Sequence, residues 1–212
     1  VDTANKKVTV TPVANGSATI TVTLAAGTKY TGASDTVSVS VAKGALTGGS
    51  VTISGTNKYN ETLTATVTDT SPKASYAYQW WYSTSSTATS GTAISGATSS
   101  TYKVASDYIG KYIGVTVTAS LANYNSKTFS DITNAAIAKA TGSITASTES
   151  LSLTYPTGGN FTYTYTGDGG VTCSSSATDV ATCSVDKTNK KVTVTFVNPM
   201  QNEQKVRYLA GE

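Results

Sequence analysis

Residues 74–83 read ASYAYQWWYS. Tyr78, Trp80 and Tyr82 recur with a period of two, which sets their side chains on one face of a β-strand. Aromatic residues favour strands, and rings of this size need a core to receive them. The question for the rest of the chain is what supplies the opposing sheet.

The flanking segments answer it with the same period. GGSVTISGTNKYNETLTATV (48–67) reads as two strands around a turn, and GTAISGATSSTYKV (91–104) as a hairpin region. KYIGVTVTAS (111–120) and KTFSDITNAAIA (127–138) read as two further strands. About seven short strands with regularly spaced turn signals predict an immunoglobulin-like β-sandwich, with Trp80 as its core indole. Tyr112 stands two residues before Gly114 near the start of a late strand, the position of a tyrosine corner. Antibody domains place a core cysteine where Gly114 stands, so the core of this unit is expected to rest on packing alone.

A second pattern spans the chain. VDTANKKVTVTPV (1–13) returns as VDKTNKKVTVTFV (185–197), identical at ten of thirteen positions. At the same offset Val22 meets Val206, Ala26 meets Ala210 and Gly27 meets Gly211, whereas KYTGASDTVSVSVA (29–42) has no later counterpart. A repeat of this kind marks one supersecondary unit used more than once. Residues 1–42 are predicted to hold three alternating strands, KKVTVTPV, SATITVTLA and DTVSVSVA. Three strands in so short a segment bury too little apolar surface to stand alone. The expected organisation is all-β, as tandem immunoglobulin-like β-sandwiches. Residues 1–42 form the C-terminal half of one module, 43–140 a complete module, and 141–212 a module without its last strand.

Composition narrows the functional classes. The chain has 212 residues, 13% charged and 38% hydrophobic, with 15 Lys and Arg against 12 Asp and Glu. That small surplus does not make a nucleic-acid surface, which needs clustered arginine beside stacking aromatics; Arg207 is the only arginine. The paired lysines Lys6-Lys7 and Lys190-Lys191 occupy matching places in the repeat and read as hairpin tips that discourage edge pairing. No run reaches the roughly 18 apolar residues of a membrane-spanning helix. No signal-peptide pattern opens the sequence, so an export signal or wall anchor is expected outside residues 1–212.

Particular motifs carry a family resemblance. YQWWYS (78–83), GTAISGATSSTY (91–102) and DYIGKYIGVTVTAS (107–120) resemble the bacterial immunoglobulin-like repeat domains of large surface proteins and adhesins. Residues 143–186, with SSSATDVATCSVD (174–186), are similar to a second bacterial group, found in intimin-like and invasin-like adhesins. NPMQNEQKVRY (198–208) departs from that group's Gly-Thr-Ala turn. The resemblance implies a sandwich fold and a task as stalk, spacer or adhesive tip, on the cell surface or outside the cell. It also places Cys173 and Cys183 at inward, apolar positions. Two states fit them: a disulfide across a hairpin, or a pair of free thiols acting as small hydrophobes.

Candidate sites are few. With no histidine, neither a Ser-His-Asp nor a Cys-His arrangement can form within these residues. Structural zinc takes four ligands, so no metal or other cofactor is expected from two cysteines. Asp107, Asp131, Asp168 and Asp179 sit in turn-like settings where aspartate bonds its own backbone, so no catalytic residue is assigned. Trp81 and Tyr76, with Tyr163 and Tyr165, are expected to point outward, where rings can stack on a sugar. Two function classes result: a non-catalytic spacer of a surface or secreted protein, or a carbohydrate- or ligand-binding accessory module of a secreted enzyme. The partners expected are neighbouring modules, a host or glycan ligand, and a second copy joined head to tail through the incomplete units.

Overall fold

A computed structural model describes Val1 and residues 3–197; the expectations for residues 198–212, Arg207 included, lie outside the described residues. The chain divides into two compact units, Val1–Lys139 and Ala140–Glu212. Among the described residues every regular element is a strand apart from one 3-10 turn at Ser106–Tyr108.

The first unit opens with a hairpin of β1 (Gly16–Leu24) and β2 (Ala33–Val41), which forms a two-stranded sheet of its own. Two facing sheets come next. One has the order β4-β5-β8, from Thr47–Ser54, Thr62–Ser71 and Thr101–Lys103. The other has the order β11-β9-β6-β7, from Lys127–Ile132, Tyr112–Ser120, Ser75–Ser83 and Thr92–Ala93. A short parallel pair, β3 (Gly44–Ala45) with β10 (Tyr124–Asn125), lies beside them.

Alternation decides which residues meet between the sheets. In β6 the even-numbered rings face inward, with Trp80 opposite Val115 and Tyr82 opposite Ile113. Val51, Leu63, Ala65, Trp80, Ile94, Val104, Val115, Val117 and Ile137 form one buried cluster with Ile113. Trp80 is fully buried, and its indole N–H donates to the Ser99 carbonyl at 2.8 Å, so burial leaves no donor unpaired. Each fully buried Leu, Ile or Val contributes about 1.5–3 kcal/mol. Without a cysteine, that packing holds the two sheets together.

Three expectations are corrected. Lys6–Val13 forms no strand beyond a single bridge at Lys7, because the described structure sets no flanking strands beside it. Residues 91–104 are not a hairpin: β7 pairs with β6 while β8 pairs with β5, so the chain changes sheets between them. The last strand stops at Ile132, and Thr133 to Ile137 run on as irregular backbone bonded to Ile113 and Lys111.

The second unit holds a single sheet among the described residues, in the order β12-β13-β15-β14. Its strands are Ser143–Ala146, Gly159–Thr166, Lys191–Phe196 and Ala181–Asp186. Antiparallel register sets Phe161 against Val192, Val185 against Val192 and Cys183 against Val194.

Candidate interaction surfaces

Cys173 and Cys183 are joined by a disulfide, with 6.2 Å between their Cα atoms. The bond ties the loop before β14 to the apolar side of the sheet, next to Val194. An open cavity of about 320 Å³ lies there, lined by Phe161, Cys173, Ala181, Cys183, Val192 and Val194 among others.

Trp81 does not form the exposed platform expected of it. It is 3% exposed, because the residue opposite on β9 is Gly114 and the indole fills the space a side chain would take. A Cβ at Gly114 would overlap that ring. The indole N–H donates to Thr116 Oγ1 at 3.0 Å, and Thr116 shares a further hydrogen bond with Ser130. The signal was present in the sequence as a glycine interrupting the β-branched run of Ile113 and residues 115–118.

Tyr76 is also engaged rather than free. It has the parity of Trp80 and so turns inward, where its ring meets Phe129 edge-on at 6.3 Å. Its hydroxyl accepts from the Thr70 amide at 2.9 Å and donates to Asp69 at 3.2 Å, joining the two sheets. Lys73 pairs with the same Asp69 at 2.9 Å and holds that carboxyl below its ordinary range. Tyr112 is half-buried at the first position of β9 opposite Ser83. Tyr163 is buried, against expectation, while Tyr165 remains 40% exposed with Lys190 Nζ 5.5 Å from its ring centre.

A set of aromatics that the sequence did not single out lies at one end of the sandwich. Trp80 touches Tyr102, Tyr102 touches Tyr108, and Tyr108 touches Tyr82, with ring centres 5.7, 6.2 and 5.1 Å apart. Lys111 Nζ lies 4.4 Å above Tyr82, a cation over the face that a sugar would use. Burial raises the Tyr102 hydroxyl above its ordinary value. The cue was DYIGK (107–111), whose tight turn carries the tyrosine and the lysine to the same ring.

The carboxylates divide. Asp107, Asp168 and Asp179 lie in turns or bends. Asp131 is a strand residue instead, and its carboxylate accepts from the Ile53 amide at 2.6 Å. It caps an amide of β4, the edge strand of the facing sheet. Among the described residues no group of three or more His, Cys, Asp or Glu could hold a metal ion.

Two further surfaces are apolar. On the β1–β2 hairpin, register places Ala18, Ile20, Val22 and Leu24 on one face with Ala33, Asp35, Val37, Val39 and Val41, so that face is apolar but for Asp35. The opposite face carries Ser17, Thr19, Thr21 and Thr23 with Ser34, Thr36, Ser38 and Ser40. Val22, Val37 and Leu24 are 44%, 57% and 63% exposed, so no sheet covers the apolar side. The sheet of the second unit has the same division: Phe161, Tyr163, Val185, Val192, Val194 and Phe196 on one face, Thr162, Thr164, Ser184 and Thr193 on the other. Only Tyr163 and Val192 of that apolar row are buried.

Compared with known proteins, the chain matches no family model and no curated relative. No helix among the described residues is long and apolar enough to cross a membrane.

Proposed function

We propose that this chain is a non-catalytic structural segment of a bacterial surface or secreted protein, built from tandem immunoglobulin-like sandwiches that act as a stalk or spacer. The observation that carries this is the strand order of residues 43–139. A β4-β5-β8 sheet facing β11-β9-β6-β7 around a fully buried Trp80 supports this reading, since an A-B-E sheet against G-F-C-C′ is what such a sandwich requires. Every buried side-chain polar atom of the described residues has a partner, so burial leaves this core without an unpaired group. The disulfide favours an oxidising compartment, which fits export.

Stretching single molecules tests this. Residues 43–139 should unfold in one cooperative step and lengthen by about 3.3–3.6 Å per residue released. Gradual extension without a step would overturn the mechanical role. The accessory-module alternative rests on the Tyr82, Tyr108 and Tyr102 rings. Specific glycan binding that is lost in Tyr82→Ala would favour it over the spacer.

A further inference from the structure

We propose that the apolar face of the second unit's sheet is closed by the β1–β2 hairpin of another copy of this chain, joined head to tail. The two faces are alike in kind. Each is a mainly apolar side of a sheet whose reverse is mostly polar, the hairpin's side carrying one carboxylate, Asp35, opposite Val22, and each lacks a facing sheet among the described residues. Two such sheets bury their apolar sides by stacking at about 10 Å.

The repeat indicates which surface belongs on which. Lys7–Pro12 is the copy of β15, and the hairpin begins at Gly16, a few residues beyond it. In this polypeptide, then, a β15-type segment is succeeded by a hairpin with one apolar face. In sequence, the positions aligned with Ala18 and Ile20 are Asn202 and Gln204 and those aligned with Val22 and Leu24 are Val206 and Tyr208, so the apolar alternation of the hairpin's first strand recurs at only two of four positions there. A second copy of the chain carries that same hairpin and supplies it in trans.

The contact is heterologous, with different surfaces on the two partners, so association continues into open chains or closes as a ring. Val37→Lys on the hairpin and Ile144→Lys on the sheet face test it. Both positions are more than half exposed, so neither charge disturbs a folded core. Sedimentation of the full chain across a concentration series should show mass rising above that of a single chain. Each variant alone should remain a single chain, and the two mixed should form a one-to-one pair, because one intact hairpin and one intact sheet face remain. Thr19→Lys and Thr164→Lys on the polar faces should associate like the parent.

A parent chain that stays single at every concentration overturns the proposal. So does a Val37→Lys chain that still associates by itself, or a mixture that gives no pair. The spacer role would survive those results, since a stalk segment requires no self-association.

Discussion

The two copies of the repeat share a sequence but not a structure. Both make the same turn: Lys6 and Lys190 adopt the left-handed conformation with φ of 51° and 50°. In the second copy Asp186 secures the turn by accepting from the Thr188 and Asn189 amides and from the Asn189 side chain. Beyond the turn they diverge. Lys191–Phe196 is the central strand β15, held between β13 and β14, whereas Val8 and Val10 lie outside any sheet and are 39% and 44% exposed. Turn geometry is therefore written locally, within a few residues. Strand geometry is not, because a strand's backbone groups are satisfied only by neighbours.

The largest test asks what a finished sandwich is worth. Trp80→Ala should cost about 3–5 kcal/mol, read by denaturant unfolding. A hairpin residue such as Leu24 should change stability by no more than about 0.5 kcal/mol when cut to Ala. Next, replacing Cys173 and Cys183 together by Ala should cost the second unit about 2–3 kcal/mol, leaving the first unit's melting unchanged. The comparison is sharpest at Val192 and its repeat partner Val8. Val192→Ala should cost about 2 kcal/mol and Val8→Ala about 0.5 kcal/mol or less, by hydrogen exchange resolved along the chain. Smallest of all, Lys6→Gly and Lys190→Gly should each relax the left-handed turn by about 0.5–1 kcal/mol. Unequal gains would break the claim that the two turns are the same local object.

What the sequence disclosed obeys the same division. The alternations in residues 48–67, 75–83 and 111–120 located the central strands, because each has a strong apolar face and a real partner. Trp80 was legible for that reason. Lys6–Val13 was not, since its alternation is as clean as that of β15 and only the flanking strands differ. Trp81 was misjudged because a period of two assigns it to the outer face, and the glycine across from it decides whether that face is wet. The outward expectation for Tyr76 ran against parity, which pairs it with Trp80. The Tyr82 and Tyr108 contact depended on a 3-10 turn at Ser106–Tyr108, and turns of that kind leave little trace in a hydrophobic pattern.

The carboxylate of Asp131 on the Ile53 amide has a consequence for synthesis. A ribosome releasing a polypeptide that repeats its own segments brings near-identical strands together at high local concentration, where unpaired edges join wrongly. A charge fixed on the Ile53 amide denies that edge of β4 to a stray strand. On a nascent chain, this edge of the first unit is thereby closed to its siblings as it folds.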